Sequence, residues 1–231
     1  SRGLGDVYKR QSIGEKKSEI IKVSRCSKIK FNVPDIWIKN FKWPLMNDHK
    51  YKRGHVLVRS GPMPSTGASR LAAISALRSG AGAVTLASET NALEVNASHL
   101  TAVMLKEINT EDEFFNFAKQ KKINTLIIGP GNGVDKKTKN IAIRAIKEEF
   151  GLILDADGLT SFEKNPKQLF DLLKKRKKRD NVILTPHEGE FNRLFNFSNM
   201  DKIEKTRKAS DMTNSTCLLY TSPSPRDLST S

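Results

Sequence analysis

The residues best suited to chemistry lie in four short polar or glycine-rich segments, each of which follows an apolar run. The sharpest is TPHEGEF at residues 185–191, where Pro186 ends the run and His187 follows it, with Glu188 and Glu190 opening a helix. An imidazole in that position can form hydrogen bonds with a ligand in either protonation state. The alternative is that His187 only caps the short helix that follows.

Two carboxylates follow another apolar run, in DADGL at residues 155–159. Asp155 and Asp157 would stand at the end of a strand, where they could hold Mg²⁺ through water or accept a hydrogen bond from a ligand hydroxyl. Asp157 would serve equally well as the cap of the next helix. Both interpretations remain open from the sequence.

Two glycine-containing segments complete the set. In SGPMPSTGAS, residues 60–69, the small residues Thr66, Gly67 and Ala68 would expose backbone N–H groups at the positive end of a helix, which suits phosphate or another anion. The alternative is a tight turn with a threonine cap and no ligand.

The other glycine-containing segment is GPGNG, residues 129–133, where Gly129, Gly131 and Gly133 permit positive φ and close approach of a ligand to the backbone. It is not a nucleotide P-loop, because the Lys-Ser/Thr ending is absent. His49, His55 and His99 lack a comparable setting and are interpreted as surface or packing residues. No Ser/His/Asp arrangement and no His/Cys metal cluster stands out.

The segments need a scaffold that brings them to one edge, and the pattern of the chain predicts a doubly wound α/β domain with a mostly parallel central sheet. From His55 onward, β-branched or aliphatic runs alternate with longer segments of helical period. Ligands of such sheets bind beyond the carboxyl ends of the strands, where all four segments would lie. Strands are predicted at residues 55–60, 83–88, 125–130, 151–156 and 181–186, with a weaker one at 102–105. Helices are predicted at residues 66–80, 111–122, 136–150, 165–178 and 199–214.

Composition limits the functional classes. The chain has 231 residues and 37% hydrophobic residues, enough for one sizeable core or two small domains. Apolar runs fall far short of the roughly 20 residues that cross a bilayer, so no membrane partner is expected. The net charge of +15 comes mainly from lysine at helix ends and is interpreted as a solvated surface. Aromatic residues do not interleave with the basic ones, so nucleic-acid binding is not predicted.

The cysteines and both termini carry further expectations. Cys26 and Cys217 cannot form a disulfide framework, which indicates a reducing compartment, here the cytoplasm. A DNA sequence that encodes residues 217–227 encodes residues 1–10 on its opposite strand, and it resembles a transposase adapter used for sequencing libraries. Residues 1–11 and 217–231 are therefore expected to be translated adapter and are left out of the fold prediction.

The order and spacing of the motifs resemble one family. HKYKRGHVLV (49–58), TGASRLAAISALRSGAGAVTLAS (66–88), GPGNG, LDADGLT (154–160) and TPHEGEF together are similar to the ADP/ATP-dependent NAD(P)H-hydrate dehydratases of the ribokinase-like superfamily. The likeness covers about residues 49–214. SIGEKK, in the leading segment, resembles the end of the epimerase domain that many bacterial members carry upstream. Residues 12–48 are accordingly expected to be a linker from a lost epimerase domain, and 49–216 a partial dehydratase domain.

The resemblance implies a repair reaction. The family phosphorylates the hydroxyl of NAD(P)H-hydrate with ADP or ATP, with Mg²⁺ as the expected companion, and then eliminates phosphate to restore NADH or NADPH. By matching position, Ala68 beside Gly67, the glycines of GPGNG and His187 would bind the substrate, while Asp155, Asp157 and Glu190 are further candidates. Small-molecule nucleotides would be the partners, and the intact parent would be a homo-oligomer.

The chain also departs from the family pattern. Arg59 and Ser60 stand where an apolar residue and a glycine are usual, which suggests a sequencing error or a side chain that leaves the core at the strand end. A Lys-Gly strand and a later glycine-rich turn with the catalytic aspartate are expected after residue 214 and are not found. This predicts an inactive fragment of an active parent. The alternatives are a small-molecule kinase of the same superfamily and a nucleotide-binding module without catalysis.

Overall fold

The computed structural model describes residues 30, 32–41, 43–47, 49–177, 181–197 and 199–220. The chain divides into two compact units, Ser1–Met46 and Asn47–Ser231. The described part of the first unit holds helix α1 (Pro34–Trp37), which has proline at its start, and a 3₁₀ turn (Ile38–Asn40). Proline favours the first helical position because its N–H would lack a partner there in any case. The predicted linker before residue 30 lies outside the described residues.

The second unit alternates strands and helices as its sequence pattern predicts. After a 3₁₀ turn (Lys50–Arg53), the elements in chain order are β1 (His55–Arg59), α2 (Gly67–Arg78), β2 (Ala83–Ser88), α3 (Thr90–His99), β3 (Met104–Glu107), α4 (Glu111–Gln120), β4 (Thr125–Ile128), α5 (Lys136–Lys147), β5 (Gly151–Leu154), α6 (Ala156–Thr160), α7 (Pro166–Lys174), β6 (Val182–Leu184), α8 (Glu188–Leu194), α9 (Lys202–Thr213) and β7 (Thr216–Cys217).

All neighbouring strands of the sheet run parallel, in the order β3-β2-β1-β4-β5-β6-β7. The chain moves outward from β1 through β2 to β3 and then returns to the other side of β1. The strand order therefore reverses between β1 and β4, and a crevice forms at such a point beyond the carboxyl ends of the strands. The predicted mostly parallel α/β sheet is confirmed.

The sheet buries apolar residues on both faces, because successive strand residues point to opposite sides. Leu57 and Leu126 belong to the larger core, which α4, α5, α7 and α8 cover. Val58 and Ile127 belong to the smaller core on the other face, against α2. Over β4 to β6 this second face is open, and a groove of about 770 Å³ lies along it, lined by strand residues that include Ile153.

Several helices begin at side chains that satisfy the free N–H groups of their first turn. Thr110 and Glu113 form a capping box at α4, and Asp135, Asn165 and Asp201 each accept a backbone hydrogen bond at the start of α5, α7 and α9. None of the helices in the described part of the chain has the length and apolar character that a membrane span requires.

The structure differs from the predicted elements at three places. β3 lies two residues later than the run at 102–105, and α3 was not predicted as a helix. The structure also pairs Leu184 with Cys217, so the sheet includes a residue that the sequence prediction left out.

Arg59 also behaves differently from expectation. Its side chain does not leave the core at the strand end but is 6% exposed, at the last position of β1.

Candidate active site

The loop that leaves β1 is in contact with the glycine turn that leaves β4. A Cβ atom on Gly61 would overlap the carbonyl oxygens of Gly131 and Ser65, so the two backbones approach as closely as glycine allows. β1 and β4 are neighbours in the sheet, and this contact lies at the point where the strand order reverses. The fold thus brings two of the predicted segments together.

The N-terminus of α2 is open to solvent. The Thr66 side chain makes no cap hydrogen bond, so the threonine cap that was the alternative to an anion site is not formed. Gly67 and Ala68 are exposed, and a Cβ on Gly67 would meet no atom within 4 Å. The first N–H groups of a helix have no partner within it and carry partial positive charge. This end of α2 therefore has the room and the polarity that an anionic group needs.

The turn at residues 129–133 has the predicted backbone, with φ of 126° at Gly129, 69° at Gly131 and 83° at Gly133. Asn132 holds the turn together: its Oδ1 accepts a hydrogen bond from Gly129 N at 2.9 Å, and its Nδ2 donates to Arg59 O at 3.0 Å. Asn132 is 2% exposed, so these bonds are shielded from water. The buried amide fixes the turn and joins it to the end of β1.

The two aspartates of DADGL support the same turn. A Cβ on Gly129 would overlap Asp155 O, and Asp157 Oδ2 accepts a hydrogen bond from Gly133 N at 2.8 Å. The interpretation of Asp157 as a helix cap is wrong, because it lies within α6 and Asp155 occupies the N-cap position without a side-chain cap bond. Asp157 instead links α6 to the glycine turn.

Asp155 connects this group to the end of β6. Its Oδ1 accepts a hydrogen bond from Thr185 Oγ1 at 2.8 Å. Burial raises the pKa of Asp155, and the bond from Thr185 works in the opposite direction. The carboxyl group thus stands partly shielded from water between the glycine turn and His187.

His187 is both a cap and an exposed donor. Its Nδ1 accepts a hydrogen bond from Gly189 N at 2.9 Å, which leaves the proton of the neutral ring on Nε2. The side chain is 45% exposed, so ligand can reach it. The helix-cap interpretation is confirmed, and Nε2 lies beside Glu190 on a ring that is still partly exposed.

Glu190 completes the capping box of α8. Its Oε2 accepts a hydrogen bond from His187 N at 3.0 Å, and its Oε1 lies 3.3 Å from His187 Nε2. Glu190 is 5% exposed, and burial raises its pKa. The Glu190 carboxylate therefore supports His187, and little of it is accessible to a ligand.

These contacts form one continuous series along the carboxyl edge of the sheet. The four segments are called the carboxyl rim below: residues 60–68, 129–133, 155–157 and 185–190. Among the residues that the structure describes, no group of three or more His, Cys, Asp or Glu side chains is placed to hold a metal ion. Of the other histidines, His55 is a packing residue, whose Nε2 lies 2.8 Å from Thr85 Oγ1.

Sequence reasoning missed three side chains that hold the rim together. Asn132 could have been identified from its position between two glycines, because an asparagine in a glycine turn commonly forms hydrogen bonds with nearby backbone groups. Thr185 had no distinguishing pattern, because its partner Asp155 lies 30 positions earlier in the chain. Thr138, which lies in the first turn of α5, accepts a bond from Arg59 that no local pattern indicates.

The parallel α/β fold has ribokinase-like neighbours among solved structures. A ribokinase-like superfamily protein from Enterococcus faecalis superposes with a TM-score of 0.67 at 18% identity, over 84% of this chain and 69% of that one. An ADP/ATP-dependent NAD(P)H-hydrate dehydratase from Bacillus subtilis, co-crystallized with ATP/Mg²⁺, superposes with a TM-score of 0.60 at 22% identity, over 79% and 63%. At these identities the likeness shows the fold.

Sequence comparison identifies the family. The sequence model described as NAD(P)H-hydrate dehydratase matches residues 56–222, and the chain belongs to that family. A bifunctional NAD(P)H-hydrate repair enzyme from Coxiella burnetii is 31% identical over 150 residues, which is 65% of this chain. The chain spans 28% of the length of that relative. The resemblance that the five motifs indicated is confirmed.

Proposed function

We propose that the carboxyl rim binds NAD(P)H-hydrate and the phosphate groups of ADP or ATP, as part of the family's repair reaction. In that reaction the hydroxyl of the hydrated ring is phosphorylated and phosphate is then eliminated, which restores the dihydronicotinamide. Phosphorylation is needed because hydroxide is a poor leaving group and phosphate a good one. The observation that carries the proposal is the series of contacts from Gly61 through residues 129–133 and Asp155 to Thr185, two residues before His187.

Each part of the rim offers a different kind of contact. The open N-terminus of α2 suits a phosphate or pyrophosphate group, because its N–H groups and helix dipole favour negative charge. The glycine turn at residues 129–133 lets a ring or ribose approach the backbone closely. The partly exposed ring of His187, whose Nε2 lies 3.3 Å from Glu190 Oε1, offers a polar contact to an oxygen of the substrate. Together these groups orient a dinucleotide across the crevice between β1 and β4.

Mg²⁺ has no preformed protein site among the described residues. Asp155 and Asp157 already accept hydrogen bonds from Thr185 and Gly133, and no third ligand stands beside them. Mg²⁺ commonly binds through substrate phosphates and water with few protein ligands. The donor set therefore does not fit a resident ion, and we propose that any Mg²⁺ arrives with the nucleotide.

We propose that this chain binds substrate without completing turnover. A general base must reach the proton that it removes. In the described part of the rim, Asp155, Asp157 and Glu190 each accept a hydrogen bond that supports a loop or a helix start. From the cysteine content we further propose a cytoplasmic location, and from the resemblance alone that the parent protein is a homo-oligomer.

The test is calorimetric titration of the chain with NADH-hydrate, NADPH-hydrate and ADP, combined with an assay of NADH recovery after ADP or ATP is added. We expect saturable binding of a hydrate at one site and no NADH above the blank. Absence of hydrate binding would refute the binding proposal, whereas recovery at the rate of a complete homologue would refute the lack of turnover. Accumulation of a stable phosphate ester would instead support a small-molecule kinase.

A further inference from the structure

Arg59 is a charged side chain at a position that the fold would normally fill with an apolar one. Its neighbours in β1, Leu57 and Val58, are fully buried in the two cores, and Arg59 itself is 6% exposed. An unpaired charge at such a position would be strongly destabilising. The side chain is instead paired and hydrogen-bonded on the side of α5.

The guanidinium group joins two segments beside the carboxyl rim. Arg59 Nη1 donates a hydrogen bond to Thr138 Oγ1 at 2.9 Å, and Nη2 lies 3.6 Å from Glu89 Oε1. Lys137 Nζ lies 2.6 Å from the same oxygen of Glu89. Burial lowers the pKa of Arg59, and the charges of Glu89 and Asp135 act in the opposite direction. The ends of β1 and β2 are thus tied to the first turn of α5.

Thr138 carries this contact onward to the glycine turn. Its hydroxyl donates to Asn132 O at 3.2 Å while it accepts from Arg59, and it is fully buried. Asn132 also donates from Nδ2 to Arg59 O at 3.0 Å. Arg59 is therefore connected to the turn twice: its backbone carbonyl accepts a hydrogen bond from Asn132, and its side chain reaches the turn through Thr138.

We propose that Arg59 is a positioning residue, which holds residues 129–133 in their ligand-binding conformation through Thr138 and Asn132. The identity of the ligand at the turn rests on the proposed function. The role of Arg59 in fixing the conformation of the turn does not depend on that function. A buried ion pair is seldom the most stabilising choice, since an apolar residue of similar volume often serves as well. What the guanidinium adds is directional bonding to a turn of three glycines, which has little stiffness of its own.

The experiment compares Arg59→Met, Arg59→Lys, Thr138→Val and Thr138→Ser with the unmodified chain. Three quantities are measured: amide hydrogen exchange at Gly129, Asn132 and Gly133, the Kd for NADH-hydrate, and the urea midpoint. We expect Arg59→Met and Thr138→Val to speed exchange at the turn and to weaken hydrate binding, each by roughly tenfold. Thr138→Ser keeps the hydroxyl, so its exchange rates and its Kd should stay near those of the unmodified chain. Arg59→Lys should give values between those of Arg59→Met and the unmodified chain.

Two controls separate positioning from stability. Arg78→Met removes an exposed arginine at the end of α2 and leaves all three quantities unchanged. Arg176→Met removes a buried arginine that donates to Ile146 O and Phe150 O, and it lowers the urea midpoint without changing exchange at the turn.

The proposal is overturned if Arg59→Met lowers only the midpoint, or if Thr138→Val and Thr138→Ser behave alike. Should Arg59→Met fail to fold, the threonine pair still decides. If the unmodified chain binds no hydrate, the proposed function is refuted. Amide hydrogen exchange at the turn still tests the positioning role of Arg59 in that case.

Discussion

Single glycines determine how closely the loops of the carboxyl rim can approach one another. At two of them, replacement by alanine is expected to change the free energy of unfolding in different ways. Gly131 has φ of 69°, and a Cβ there would press on Ser65 O. Gly67 lies at the open start of α2 with free space around it. The backbone conformation requires glycine at position 131, whereas no contact of the described residues requires it at position 67.

We therefore expect Gly131→Ala to lower the free energy of unfolding by roughly 1–3 kcal/mol, because it combines backbone strain with a steric clash. Gly67→Ala should leave that free energy unchanged or raise it by up to about 1 kcal/mol, since alanine favours helix. Urea denaturation followed by circular dichroism measures both. Equal losses in the two variants would contradict the described loop contact.

Asp155 predicts a dependence of stability on pH. Burial raises its pKa in the folded state above the ordinary 3.8, so the folded protein holds this proton more tightly than the unfolded chain does. The stability from this group is complete below the unfolded pKa and is lost as the pH rises through the folded pKa. Asp155→Asn removes the titration, and its free energy of unfolding should fall less steeply with rising pH over that window. Parallel curves for the two proteins would show that Asp155 is not perturbed.

At the scale of elements, α8 begins at a residue to which we assign both a structural and a binding role. His187 Nδ1 caps the helix through Gly189 N, while Nε2 lies 3.3 Å from Glu190 Oε1 on a side chain that is 45% exposed. Asparagine is a strong N-cap residue but cannot place a donor where Nε2 stands. The two roles are therefore separable by substitution.

His187→Asn should keep the free energy of unfolding near that of the unmodified chain and abolish hydrate binding. His187→Ala should lose about 1 kcal/mol of stability as well as the binding. Thermal or urea denaturation gives the first quantity and calorimetric titration the second. Hydrate binding by His187→Asn with unchanged affinity would remove His187 from the proposed site.

The elements also show what the sequence could and could not predict. Strands β1, β2, β4, β5 and β6 were predicted because buried parallel strands are apolar throughout and stand out from their neighbours. β3 lies at an edge of the sheet, where Lys106 and Glu107 are exposed, so its apolar run at 102–105 marked only its start. β7 was not predicted because its second residue, Cys217, belongs to the segment that was left out as translated adapter.

The candidate site was predictable to the extent that it consists of strand ends. His187, Asp155 and the glycines follow apolar runs, and the topology brings such ends to one edge. The bonds that fix them were not predictable, because Arg59 and Thr138 are separated by 79 positions. Family resemblance likewise pointed toward an apolar residue at Arg59, so the buried ion pair became visible only in the folded chain.

At the scale of the whole molecule, the strand order reverses between β1 and β4, which is the point where ligands of such sheets bind. Loops from both sides of that reversal contact each other, and DADGL and TPHEGEF continue the same edge along β5 and β6. The net charge of +15 favours the approach of anionic ligands to the chain as a whole. We propose that these parts act as a single site for one dinucleotide.

The most direct test is a titration with NADH-hydrate followed by NMR, with the amides of Gly67 and Gly131 and the ring of His187 observed together. A single site predicts that all three signals shift along one saturation curve with a common Kd, while the ring of the distant packing residue His55 does not move. Separate curves, or a response confined to one of the three, would contradict the account.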